Sequence, residues 1–426
     1  MTLVIIIVFI LGYLLIALEH FVKINKSATA ILTGVLCWTL YMVATPDRDL
    51  ASGVLQSHLA DIAGILFFLM GAMTIVEIID AHNGFATVTS MLAAGSRQRL
   101  LWLTGVITFV LASVLGNLTT TIVMISLLSK IITKREDLLQ LSGVVVIVVN
   151  AGGAWSPIGD VTTTMLWISG CVSSLSIVKV LILPSLVCAL VPLVMVSLRV
   201  KNAPLPALAA PTGRPDPRDI CNGKIVFFLG FGALLFVPVF KGITHLPPYV
   251  GILFGLGVLW TATELLHRKS DKEHRREHSV ASALQRIDMP TILFFLGILL
   301  AISNLQAVGV LASLAGWLDR VIGNVDIIAI ALGVLSAVVD NVPLVAAGIR
   351  MYPLTHFPLD HQFWPFLSYC VGTGGSMLII GSAAGVAAMG MAKIDFFWYM
   401  RRIAPLAVVG YIAGAAVYLF QLAIFK

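Results

Sequence analysis

The chain has 426 residues, of which 59% are hydrophobic and 11% charged, with a mean hydropathy of +1.00. A soluble domain carries roughly 25% charged residues, so this chain lacks the polar surface of one and belongs in a bilayer. Its formal charge of +6 is spread over short connections, which points to membrane topology rather than to nucleic acid.

Apolar runs of roughly 17–25 residues read as transmembrane helices. The first three are predicted at about 3–19, 27–45 and 59–80. The first has no basic leader and no clear small-residue cleavage site, so a retained helix is expected rather than a signal peptide. An amphipathic connection with His82, Arg97 and Arg99 follows. Residues 100–116 and 118–133 are two apolar stretches meeting at Gly116-Asn117, with basic residues at both outer ends. One crossing of that length would overshoot the bilayer, and two full crossings would leave an almost uncharged tip. A re-entrant hairpin over about 100–133 is predicted instead, tolerated at mid-depth only where protein or water covers the backbone.

Residues 141–170 read as one crossing broken at Gly152-Gly153-Ala154-Trp155-Ser156-Pro157, where glycines add freedom and Pro157 removes a donor. A helix is predicted at about 179–198, then a Pro-rich basic linker over 199–223 that divides the chain into repeats at 1–198 and 224–426. The second repeat is predicted to hold helices at about 224–240, 248–266 and 289–306, a hairpin near 325–350 and a broken crossing at 363–392. A last helix covers 403–425.

The division rests on internal repetition. Asp61-x3-Ile65-Leu66-Phe67-Phe68-Leu69 recurs 227 positions later as Asp288-x3-Ile292-Leu293-Phe294-Phe295-Leu296. The stretch from Val110 to Leu118 recurs from Val334 to Val342 at an offset of 224, and Gly152-Gly153-x4-Ile158-Gly159 recurs as Gly374-Gly375-x4-Ile380-Gly381 at 222. Placing every basic loop (20–26, 97–99, 130–135, 199–224, 268–286, 393–402) in the cytoplasm gives the two halves opposite topology, with both termini outside. The expected fold class is an all-α polytopic membrane protein with two inverted-topology repeats, each with a re-entrant hairpin and a broken helix. Such repeats usually flank a substrate site.

Most acids lie near helix ends, where water or headgroups solvate them: Glu19, Asp61, Asp80, Glu264, Asp288 and Asp395. Asp160, after the first break, and Asp340, at the second tip, are expected near the midplane, where a charge costs roughly 2.5–3.5 kcal/mol on insertion scales and is usually functional. Around them stand Asn117, Thr119 and Thr120 at the first tip, Asn150, Ser156 and Thr162 at the first break, Asn341 at the second tip, and Thr373, Ser376 and Ser382 at the second break. Amide, hydroxyl and freed carbonyl oxygens make a cage for a small hard cation. Each Ser or Thr alone is more often bonded to the carbonyl four residues back in its own helix, and it is their grouping at four breaks that points to a cage. Glu77, at the repeat position of Asn304, is a further proton or cation group, or an interfacial acid one turn from Asp80. His267, His274 and His278 read as solvated residues of a cytoplasmic loop. The five cysteines form no C-x-x-C pair, and neither a disulfide framework, a zinc site nor a nucleotide-binding P-loop is found, so no cofactor is expected.

Gly116-Asn117-Leu118-Thr119-Thr120, the run from Asn150 to Thr163 and Asp340-Asn341-Val342-Pro343-Leu344 resemble the ion transporter superfamily, and within it NhaD-type sodium/proton antiporters, over essentially the whole chain. The di- and tricarboxylate carriers of that superfamily place Ser-Asn-Thr at both tips, whereas these tips read Gly-Asn-Leu-Thr and Asp-Asn-Val-Pro. A fixed acid there repels an anion and suits Na+ or Li+. The resemblance implies a transporter, not an enzyme, exchanging Na+ or Li+ for H+ in pH homeostasis. Na+ would be held at Asp340, Asp160, Asn117 and Asn341. It also implies a multi-pass protein of a bacterial inner membrane with periplasmic termini, in contact with lipid and open to homodimer formation, although Gly381-x3-Gly385 equally allows close helix contacts within one subunit. An anion carrier of the same architecture (dicarboxylate, citrate or arsenite) is the alternative. An intramembrane aspartyl protease is a remote one, requiring its two carboxyls in hydrogen-bonding reach.

Overall fold

The computed structural model describes residues 1–17, 22–85, 96–132, 134–199, 217–268 and 279–424. Glu19, His274, His278 and linker residues 200–216 lie outside them. Among the described residues all regular elements are helices, and nine are long and apolar enough to cross a bilayer.

The first half consists of α1 (Thr2–Ala17), α2 (Lys26–Ala44), α3 (Arg48–Ala81), α4 (Arg97–Leu115), α5 (Asn117–Ile131), α6 (Arg135–Ala154), α7 (Val161–Ile168) and α8 (Ser174–Arg199). The second opens with α9 (Pro217–Thr244), α10 (Pro248–Leu266), α11 (Val280–Arg286) and α12 (Met289–Ala307), followed by α13 (Val310–Val321), α14 (Val325–Leu335) and α15 (Asn341–Met351). It closes with α16 (Phe363–Gly374), α17 (Ala383–Ala392), α18 (Phe396–Arg402) and α19 (Ala404–Ile424).

Helix α3 is longer than the expected 59–80. Asp47 caps it by accepting from Leu50 N at 3.0 Å, and its 34 residues extend about 50 Å at 1.5 Å per residue, beyond a ~30 Å hydrocarbon core. The amphipathic α13 and short α11 and α18 were not expected. His267 is not solvated: it is buried at the end of α10 and its ring lies 5.0 Å from that of His82.

The helices are interrupted between Leu115 and Asn117, Ala154 and Val161, Leu335 and Asn341, and Gly374 and Ala383. Arg97 at the start of α4 is ion-paired with Asp137 at the start of α6, so α4 and α5 run out and back. Their turn is Gly116, whose φ of +84° is a conformation L side chains rarely adopt. The repeated glycine motif is a packing device. A β-carbon on Gly153 would lie 2.7 Å from Gly159 O, and one on Gly375 would lie 2.8 Å from Gly381 O. One on Gly159 would meet Ala112 O at 3.0 Å, and one on Gly381 would meet Ser336 O at 2.5 Å. Each break therefore doubles back on itself and seats against the hairpin of its own half. Gly381 of Gly381-x3-Gly385 thus serves contact within the subunit.

The halves interlock. α2 packs on α12 and α3 on α10; α5 packs on α17 and α15 on α7. Ser27 Oγ donates to Pro290 O (2.6 Å) and Trp38 Nε1 to Leu300 O (2.9 Å), so α2 and α12 run parallel. Gly64 beside Tyr249, Gly71 beside Ile252 and His82 beside His267 make α3 and α10 parallel as well.

Candidate functional site

The four broken elements meet around Asp160. As the residue before α7, Asp160 sits where the chain leaves the first break, and only 2% of it is exposed. Its Oδ1 accepts from Asn117 Nδ2 at 2.9 Å and its Oδ2 from Thr162 Oγ1 at 2.7 Å. Asn117 begins α5 just beyond the Gly116 turn, and its amide also reaches Asn150 Oδ1 at 3.3 Å. Asn150 in turn donates to Ser382 Oγ at 3.1 Å, a residue of the second half. From the same half, Gly372 leaves its α-carbon face open to the acid: a β-carbon there would stand 3.2 Å from Asp160 Oδ2 and 3.4 Å from Thr162 Oγ1. Asp160 is thus a buried carboxylate held by neutral donors. A buried acid with no cationic neighbour among the described residues is the arrangement in which a proton and a small cation compete for the same oxygens, because either restores neutrality.

A pocket of about 80 Å³ lies against Asn117, Thr119, Asp160 and Thr164. Met73, Leu118 and Thr119 also line an adjacent cavity of about 310 Å³ bounded by Glu77, Asp80, Arg286 and Asp288. Glu77 therefore borders the cavity next to the Asp160 pocket. On another side, a cavity of about 350 Å³ is lined by Asp61, Arg350, Tyr352 and Cys171 and shares no residue with the small pocket.

Of the residues singled out from sequence, Asn117, Asn150, Asp160, Thr162 and Ser382 come together, and Thr119 lines the adjoining space. Asp340 does not join them. Its Oδ2 lies 3.4 Å from Lys26 Nζ and its Oδ1 accepts from Val342 N at 3.3 Å. Neighbouring Asn341 is buried, with no partner for Nδ2 among the described residues. Thr373 and Ser376 spend their hydroxyls on Tyr369 O and Thr373 O, and Ser156 Oγ accepts from Ile158 N, all local contacts. Thr120 is buried, and its hydroxyl has no partner among the described residues. Sequence reasoning missed Lys26, which looked like one more cytoplasmic charge, and Gly372, whose repeat equivalence to Asn150 was the available signal. It also missed the pairing of Asp61 with Arg350 (3.3 Å). Among the described residues no cluster of three or more His, Cys, Asp and Glu could hold a metal, so a cation cage built from them draws most of its ligands from neutral oxygens.

A sequence profile of the citrate transporter family, CitMHS, matches residues 13–364. Sodium/proton antiporter 1 of Arabidopsis thaliana is 50% identical over 417 residues, spanning 96% of this chain and 70% of that protein. The Na(+)/H(+) antiporter NhaD of Alkalimonas amylolytica is 30% identical over 97% of this chain and 89% of its own length. The chain belongs to the NhaD-type antiporters of the CitMHS family. Its fold is also that of the crystallised YdaH transporter of Alcanivorax borkumensis, with a TM-score of 0.60 at 13% identity over 94% of this chain and 99% of that one.

Membership in this family makes the protein a multi-pass membrane transporter rather than an enzyme. The geometry agrees: a protease dyad shares one proton between two carboxyls, whereas here Asp160 bonds Asn117 and Thr162 while Asp340 pairs with Lys26.

Proposed function

We propose that the protein exchanges Na+, or Li+, for H+ by alternating access, with Asp160 as the carboxylate for which the cation and the proton compete. The observation that carries the reading is the burial of Asp160 among neutral donors, with an amide, hydroxyls and broken-helix backbone from both halves around it. Asn117, Asn150, Thr162 and Ser382 supply neutral oxygens on reorienting, and Asp340 with Asn341 forms a second acidic station at the other tip. The relatives named as sodium/proton antiporters support the choice of cargo.

Alternating access follows from inverted repeats bounded at 1–198 and 224–426. Helices α2 and α3 are joined by three residues and fold back, with the Trp38 and His58 rings 6.0 Å apart. Since α3 runs parallel to α10, α2 runs antiparallel to α10, its counterpart by length and repeat offset. With the basic connections in the cytoplasm and both termini outside, the cavity at Glu77 and Asp288 faces inward and that at Asp61 and Arg350 faces outward. The adjacency of the inner cavity to the Asp160 pocket supports an inward-facing arrangement. Plant as well as bacterial relatives match the chain, so the reading names an orientation and not a bacterial inner membrane.

The test is dissipation of a pH gradient in everted vesicles on adding Na+, Li+ or K+, for wild type, Asp160→Asn and Asp340→Asn. Dissipation by Na+ or Li+ that Asp160→Asn abolishes, with the protein still inserted, supports the reading. Indifference to every cation together with citrate-driven uptake would overturn it in favour of the anion carrier.

A further inference from the structure

Asp340 and Lys26 are paired departures from the repeat. At the offset of 224 the position of Asp340 is Gly116 in the first half. Helices α2 and α10 both have 19 residues and begin at 26 and 248, so the position of Lys26 is Pro248 in the second. Neither charge has a counterpart. They come from opposite halves, yet they meet: Lys26 Nζ lies 3.4 Å from Asp340 Oδ2 and 4.5 Å from the centre of the Phe294 ring. Both border a cavity of about 630 Å³ with Tyr13, and their side chains remain 23% and 15% exposed. The pair is therefore partly desolvated but within reach of a hydrated ion.

The carboxylate divides its oxygens between two tasks. Oδ1 accepts from Val342 N and caps α15, which fixes the group to the hairpin tip. Oδ2 faces the ammonium. We infer that Lys26 is a tethered cation that occupies Asp340 Oδ2 while no transported cation is bound there and is displaced by the incoming ion. An ammonium is a compact point charge on a flexible four-carbon stem, so it can leave one oxygen for the cavity without moving the backbone. The exchange makes and breaks no covalent bond. The Lys26 charge moves into the water of the cavity as the alkali cation takes its place on the carboxylate, and Asp340 is neutralised before and after. Held in this way, Asp340 is not left as an uncompensated charge during the ion-free part of the cycle, a state that would be costly.

The inference rests on Asp340 taking the cation, as proposed above, and the experiment separates the two. Half-saturating Na+ is measured by initial 22Na+ uptake into proteoliposomes for wild type, Lys26→Met, Lys26→Arg and Asp340→Asn. Removing the competitor in Lys26→Met should lower half-saturating Na+ by about fivefold, the scale of a partly exposed ion pair. Lys26→Arg, whose planar fork binds a carboxylate through two N–H groups, should raise it. A brace that only supports the fold would change protein yield or maximal rate in both variants and would not move the half-saturation in opposite directions. Equal half-saturation in wild type, Lys26→Met and Lys26→Arg overturns the inference. Should Lys26→Met fail to insert, an Arg variant with unchanged half-saturation overturns it alone. Wild-type Na+ uptake by Asp340→Asn would instead remove the second acidic station on which the inference is built.

Discussion

Asn150 and Ser382 join the two halves by a hydrogen bond of 3.1 Å, and the repeat converts the same contact into Gly372 against Asp160. At the offset of 222, Asn150 corresponds to Gly372 and Asp160 to Ser382. The same two positions of the sequence repeat make both contacts. On one side a long amide reaches a short hydroxyl; on the other a residue with no side chain makes room for a carboxylate. The asymmetry gives Asp160 no acid at the matching repeat position, which is Ser382.

Gly372→Ala tests that space. A methyl group would stand 3.2 Å from Asp160 Oδ2 and 3.4 Å from Thr162 Oγ1, tighter than most real contacts, with the carboxylate and its donors having to shift. Overpacking of this kind typically costs about 1–3 kcal/mol, so half-saturating Na+ should rise by about fivefold or more while insertion persists. Uptake of 22Na+ by the purified variant checks it.

Thr162→Val should weaken the same site in a graded way. It removes the 2.7 Å bond to Asp160 Oδ2 without changing side-chain shape much. A hydrogen bond to a charged group contributes about 1.5–3 kcal/mol, so a loss of about ten- to hundredfold in Na+ affinity is expected, whereas Thr162→Ser should stay close to wild type. Competition between Na+ and protons, read as half-saturating Na+ against pH, distinguishes the two variants.

How much of this was legible beforehand follows from what a repeat can and cannot carry. The hairpin tip at Gly116 and both breaks could be read because glycine and proline act locally on the backbone, and the duplicated motif marks the same turn twice. The grouping of Asn117, Asn150, Thr162 and Ser382 around Asp160 was legible as a set of polar residues at four breaks, but not their partners. The separation of Asp340 from that set was hidden, because Lys26 lies 314 positions away in sequence and reads as an ordinary loop charge. The N-terminal extension of α3 was missed because its first turns are polar, and His267 because it adjoins a charged loop while its ring turns back towards His82.

The cavity at Asp61 and Arg350 predicts a state-dependent accessibility. These residues form a 3.3 Å ion pair between α3 of the first half and α15 of the second. By the repeat offsets their counterparts are Asp288 and Ser126, which line the cavity on the other side and cannot form an ion pair with each other. The pair thus holds only the Asp61 side. Exposed pairs contribute up to about 1 kcal/mol, so Asp61→Asn should shift the balance between states by up to about fivefold. Cys171 is buried and lines this cavity. In a variant retaining Cys171 as its only cysteine, Asp61→Asn should speed labelling by a membrane-impermeant thiol reagent; an unchanged rate would remove the pair as a closing contact.

Stability should also fall on mild acidification through His361, in the connection between α15 and α16. Partial burial, and then the neighbouring His356, hold its pKa below the ordinary 6.5, with Asp326 opposing them. The ring stacks on Phe357 at 4.5 Å, and Nδ1 accepts from Phe363 N at 3.3 Å, a bond that only an unprotonated nitrogen can make. Because the folded state binds this proton less readily than the unfolded chain, the group costs nothing above the unfolded pKa of about 6.5, and stability is lost as pH falls through that value. The loss stops growing once pH drops below the folded pKa. Thermal unfolding of the detergent-solubilised protein between pH 8 and about pH 5 should therefore show a declining midpoint below about 6.5, less steep in His361→Gln. An identical slope in the variant would assign the acid sensitivity to other groups.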